Sequence, residues 1–223
     1  MDVKTDNKKI TGNTTKLPDN AKELCELPYF NIEELYGGNQ ELFHSGWMRV
    51  GGCAAVTACD TCIYLDMYKG SNKLYPFDLD NITKSQYEEF AMQMKPYLKP
   101  RYSGIDKLDI YTEGFGAYLH NHGCDNVSLT GFDGSKSYTE ARAFVIKQIK
   151  AGYPIPYLNL RHKDPAFADF VWHWFLITGY AVFNEVMMVK LVSYGEYIWA
   201  DFGRLWNLSS GRKGGMIRIE KHG

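Results

Sequence analysis

From Tyr153 onward, β-rich runs follow one another with no helical segment between them: "YPIPYLNL" (153–160), "WHWFLITGY" (172–180), "EVMMVKLVSYG" (185–195), "EYIWADF" (196–202) and "GMIRIE" (215–220). A turn near Phe183-Asn184 joins the second run to the third. Ahead of them the chain reads as helical. Cys53 to Tyr68 lacks Pro and Gly and stops at Lys69-Gly70-Ser71. Ser85 with Glu88 fits a capping box opening a helix to Leu98, and Ser137 with Glu140 a second, opening a helix through Ile149 that ends at Gly152. Another helix is expected from about Thr112 to His122, stopped by Gly123. Helices first and an antiparallel sheet second, with no βαβ rhythm, predict an α+β fold.

Residues 1–20 are polar and read as a flexible tail, which leaves 21–223 as one domain with ample length for a core. The formal net charge of −1 gives no footprint for nucleic acid. No run of about 18 apolar residues exists, so no membrane span is expected. The five cysteines (25, 53, 59, 62 and 124) are odd in number and irregularly spaced, which suggests free thiols in a reducing compartment. With no apolar signal core in the first twenty residues, the cytoplasm is the expected location; a trimmed signal peptide would change that. Cys59 and Cys62 form a C-x-x-C, but it falls inside a helix and lacks two further ligands at zinc spacing. No metal site and no cofactor are expected.

The segment "RVGGCAAVTAC" (49–59) sets two glycines before a cysteine that opens a helix. A helix N-terminus favours the thiolate through its unpaired N–H groups and macrodipole. Gly51 and Gly52 would let the backbone approach a substrate carbonyl. Cys53 is therefore a nucleophile candidate; the alternative is a small, inert, buried residue under a tight turn. A nucleophilic cysteine needs a base, usually a histidine distant in sequence. His44, His120, His122, His162 and His222 lie in polar or terminal surroundings, whereas His173 opens an apolar strand, where a ring needs a partner or a role.

"GGCAAVTACDTCIYL", "VIKQIKAGYPIPYLNL", "HWFLITGY" and "VSYGEYIWADF" occur in an order that resembles the papain-like cysteine peptidases, especially the bacterial branch around the bacteriocin-leader-processing peptidases. In that group a Gly-Cys-Gly/Ala segment starts the central helix and a histidine opens a strand ending in Gly-Tyr. The resemblance covers roughly residues 40–205. It implies a papain-like fold with Cys53 as nucleophile and His173 as base. The family glutamine, six positions before the cysteine, helps bind the oxyanion; here that position is Trp47, so the Cys53 N–H and the Trp47 indole N–H are the candidate donors. Gln40 lies too far upstream for the motif. Members carry Asn or Asp on the strand after the histidine. A hairpin centred near Phe183 instead sets Ser193 opposite His173 and leaves Asp201 more than about 10 Å away, so Ser193 is the orienting candidate. The implied activity is hydrolysis of a peptide or amide bond. Acyl transfer to an amine and a catalytically inactive peptide- or partner-binding domain are the rivals.

Overall fold

The computed structural model describes residues 16–17, 19–71, 74–101 and 104–222. The expected tail, residues 1–20, falls mostly outside them. In chain order the elements are β1 (Glu23–Glu26), β2 (Asn31–Ile32), β3 (Leu35–Tyr36), α1 (Gly46–Gly51), α2 (Cys53–Lys69), α3 (Lys84–Met94) and α4 (Leu108–Asn121). They continue with β4 (Val127–Asp133), α5 (Tyr138–Lys150), β5 (Ile155–Asn159), β6 (His173–Val182), β7 (Met187–Ser193), β8 (Glu196–Asp201), α6 (Phe202–Asn207) and β9 (Gly214–Lys221). One sheet runs β4-β9-β5-β6-β7-β8, and β1 pairs with β6 beyond the end of β5. Every pairing in it is antiparallel. The fold is α+β.

The sheet needs a cover, and α2 supplies it. Its side chains are buried without a break from Cys53 to Asp66, so this helix is enclosed on all sides rather than on one stripe. Enclosure obliges every polar group on it to find a partner. Thr57 Oγ1 donates to the Ala54 carbonyl at 2.9 Å and Thr61 Oγ1 to the Thr57 carbonyl at 2.7 Å. Asp66 accepts from the Leu74 and Tyr75 N–H groups at 2.9 and 2.8 Å. Asp60 accepts from the Gly38 N–H (2.9 Å), the Tyr29 hydroxyl (2.9 Å) and the Tyr87 hydroxyl (2.7 Å). Gly70 closes the helix in the left-handed conformation at φ +63°.

Several details differ from the sequence reading: a short helix, α6, stands between the β8 and β9 runs where none was expected, because Asp201 caps it by accepting from the Arg204 N–H; α3 ends at Met94 and α4 begins at Leu108. The α3 capping box is Thr83 with Gln86. Glu88 accepts instead from the backbone N–H and ring Nδ1 of His44. Ser/Thr-x-x-Glu/Gln occurs twice here, two residues apart, so the pattern alone does not choose between them. Strand β4 has no counterpart in the sequence reading; it is an edge strand whose burial does not alternate cleanly, and Gly131 interrupts its apolar period.

Residues 37–40 form a strap from β3 across α2 to the β7–β8 turn. The Gly38 N–H donates to Asp60, the Gly38 carbonyl accepts from the Gly195 N–H at 3.0 Å, and Asn39 Nδ2 donates to the Tyr194 carbonyl at 3.1 Å. A Cβ at Gly38 would overlap the Tyr87 hydroxyl and approach Asp60 Oδ1 to 2.7 Å. Gly38→Ala should therefore lower the urea unfolding free energy by about 2–3 kcal/mol, since overpacking strains a filled interior. An unchanged midpoint would mean that the strap yields freely.

Candidate active site

Gly52 caps the N-terminus of α2 and leaves it without a side-chain cap. The reason for two glycines is steric. A Cβ at Gly52 would collide with the Met48 carbonyl, and one at Gly51 would press on the Arg101 carbonyl at 3.2 Å and Pro100 at 3.3 Å. The pair lets α1 and residues 100–101 close onto the start of α2, and Cys53 ends up buried there at 6 % exposure. Close packing at the start of α2 by itself requires glycine at both positions.

His173 opens β6 and is equally buried, at 5 % exposure. Cys53 and His173 line one enclosed cavity of about 10 Å³, together with Gln40, Asp60, Ser193 and Tyr194. Ser193 Oγ lies 2.7 Å from His173 Nε2. The register that achieves this is not the one inferred from the hairpin count. Val182 pairs with Met187 and Leu176 with Val192, with an irregularity between Ile177 and Gly179, so the imidazole reaches Ser193 diagonally. Asp201 pairs with Met188 and accepts from the Arg204 N–H as the N-cap of α6.

The Tyr194 ring stacks on the imidazole with centroids 4.6 Å apart and planes 5° from parallel, and its hydroxyl is 3.4 Å from His173 Nδ1. Tyr194 and Gly195 both have positive φ (55° and 75°) between the paired residues Ser193 and Glu196. That is a two-residue hairpin turn of the primed kind, in which a tyrosine at the first position is strained. Trp172, just before His173, is likewise at φ 54°. Backbone strain thus brackets the histidine.

Trp47 is 62 % exposed and lines a separate depression with Lys95, Pro96, Lys99, Pro100 and Arg101. It is not among the residues around Cys53. The indole that sequence placed in the cleft therefore offers it no donor. Gln40, set aside as too far upstream, is the glutamine that does line the cavity; its Nε2 donates to the Arg49 carbonyl at 2.9 Å, and its buried Oε1 has no partner. An amide nitrogen carries a second hydrogen, and that of Gln40 finds no acceptor among the described residues. No spacing rule points to it, because the strap comes from outside the nucleophile segment. Tyr194 had a legible cue in "YG" between two strand runs. Cys59 and Cys62 are buried inside α2.

Burial governs both groups, Cys53 and His173. It pushes the Cys53 thiol pKa up, opposed by the Trp174, Ala54 and Cys53 backbone N–H groups at its sulfur. It pulls the His173 imidazole down to about 4. Near neutral pH the site holds a thiol and a neutral imidazole. Asp60 is shifted by the same cause to about 6, opposed by its Gly38, Tyr87 and Tyr29 hydrogen bonds.

No protein-family model matches the chain, and comparison with curated proteins and with solved structures finds no significant match.

The two buried groups bias stability in opposite directions over nearly the same pH range. Between about 6.5 and 4 the unfolded chain takes up a proton on His173 that the native chain refuses, so this histidine makes stability fall as pH falls. Between 3.8 and about 6 native Asp60 keeps a proton that the unfolded chain releases, so this carboxyl makes stability fall as pH rises. Each effect is on the order of 3 kcal/mol in full. His173→Gln should therefore turn the stability profile between pH 4 and 6 toward a decline with rising pH, and Asp60→Asn should steepen the loss on acidification. Parallel urea titrations at pH 4 and 6 measure both. Profiles unchanged by either substitution would contradict the burial argument.

Proposed function

We propose that the chain is a papain-like cysteine hydrolase acting on a peptide or amide bond through Cys53 and His173. What supports this most is the shared cavity of two buried groups from opposite ends of the chain, one at a helix start and one at a strand start. Ser193 engages His173 Nε2, and the Tyr194 hydroxyl makes only a long 3.4 Å contact with Nδ1, the nitrogen that would take the thiol proton once that contact gives way. Sγ would attack the carbonyl carbon as its proton passes to Nδ1. The resulting oxyanion would be met by the Cys53 N–H and a Gln40 N–H. Collapse would break the C–N bond, the amine leaving with the proton from His173. Water, deprotonated by the same ring, would then cleave the thioester. A neutral resting pair makes His173 a general base during attack rather than half of a preformed ion pair.

The test uses an activated ester such as p-nitrophenyl acetate and intact-mass detection of the acyl-enzyme. The native chain should acylate at Cys53 and return to its starting mass. Cys53→Ala should not acylate at that position. His173→Gln should slow acylation by about 10²-fold or more, Gln40→Ala by up to about 10²-fold, and Ser193→Ala only a few-fold. An acyl-enzyme that persists until an amine is added would identify acyl transfer instead. Acylation no faster than in His173→Gln would leave an inactive binding domain.

A further inference from the structure

The depression beside α1 is unusual in composition. Its lining is one tryptophan, two prolines, two lysines and one arginine, with no carboxylate, around about 550 Å³. Trp47 is 62 % exposed, and Val50 on the same short helix is 80 % exposed. Lys95 donates to Ser45 Oγ at 3.5 Å, whereas Lys99 and Arg101 make no ion pair among the described residues. Some cations elsewhere do pair, Lys84 with Glu33 and Glu34, Lys150 with Glu23 and Arg212 with Asp106; what sets this depression apart is that its three cations share one lining with no acid among them. An apolar floor rimmed by unpaired positive charge suits a ligand that is acidic and carries an apolar side chain.

The depression also abuts the nucleophile segment. Pro100 and Arg101 pack directly on Gly51, and α1 leads through Gly52 into Cys53. Six helical residues rise only about 9 Å, a span that about three extended residues cover. We propose that this groove binds an acidic peptide segment, with an apolar side chain against Trp47 and the two prolines and its carboxylates against Lys99 and Arg101, and that this segment flanks the bond attacked by Cys53. The assignment of Cys53 as the reacting residue comes from the function proposed above, and binding can be measured apart from it.

The experiment uses the full chain carrying Cys53→Ala, so that no chemistry intervenes, and fluorescence anisotropy of two labelled peptides of about ten residues, one alternating Glu and Leu, the other Lys and Leu. The Glu-Leu peptide should bind at least tenfold more tightly than the Lys-Leu peptide. Trp47→Ala, and Lys99→Glu combined with Arg101→Glu, should each weaken it at least tenfold. These positions are solvent-facing, and an unchanged melting temperature shows that the fold is intact. Affinity should fall as salt rises from about 0.05 to 0.5 M, as screening of exposed charges requires. Equal binding of the two peptides, or charge reversal without effect, overturns the proposal. So does a dimer in sedimentation that Trp47→Ala disperses, since the groove would then be occupied by a second copy. Charge-selective binding by a chain that fails to acylate at Cys53 would overturn the hydrolase reading and leave the groove standing. Acylation at Cys53 without charge-selective binding would do the reverse.

Discussion

The Asp60 carboxylate is the point on which the site hangs. It is buried in the middle of a helix that is itself enclosed, and an unpartnered charge there would cost several kcal/mol. Its partners come from three separate parts of the chain: Tyr29 ahead of β2, Gly38 in the strap and Tyr87 on α3. Each gains a fixed place by meeting the carboxylate. The strap so held carries Gln40 to the cavity and grips the β7–β8 turn through Gly38 and Asn39. That turn holds Ser193 and Tyr194 against His173. A single buried acid two turns along the helix from Cys53 therefore sets the position of the histidine's neighbours without touching the reacting atoms. Low local dielectric strengthens these hydrogen bonds and makes the loss of any one expensive.

The chemistry of the cavity follows from its burial. Desolvation acts against a thiolate and against an imidazolium, and each shift makes an ion pair less stable at rest. A carboxylate beside the imidazole would oppose that; here its polar neighbours are a serine hydroxyl and a tyrosine hydroxyl, both neutral. Such a site suits proton transfer that accompanies bond formation. Tyr194, stacked over the ring, is itself part of the cavity wall. The αL conformation of Tyr194 shows that the turn tolerates strain to keep the ring there.

The fold class was legible because long, Gly- and Pro-punctuated segments carry it. The Ser137–Glu140 box, the stop at Gly70 and the strand runs after Tyr153 each have a local physical cause, and each is present in the structure. The cysteine and the histidine were singled out by their immediate neighbours. The remaining residues around them were not readable in the same way, for specific reasons. Gln40 reaches the cavity through a strap whose course depends on Asp60, a contact between distant residues that no spacing encodes. Ser193 depends on strand register, and the β6–β7 turn sits at Asn184-Glu185 rather than at Phe183, which shifts every pairing off the simple count. Trp47 stands where the resemblance leads one to expect a glutamine, yet α1 turns it to solvent.

The histidine's surroundings have a consequence for how the site comes into being. Phe170, Ser193 and Tyr194 all lie within about a hairpin's length of His173 in the chain, so the histidine and its holders can assemble locally and early, on the microsecond scale of hairpin formation. Cys53 is contributed by the other half of the molecule and meets them only when α2 docks on β6, a contact of large sequence separation and slow closure. During synthesis the thiol emerges first and the strand it needs emerges long after. Until the C-terminal sheet is complete, Cys53 has neither His173 beside it nor its cover. On the proposed reading, reactivity at Cys53 would then report completion of the chain: a truncated or half-folded molecule carries the thiol without the histidine.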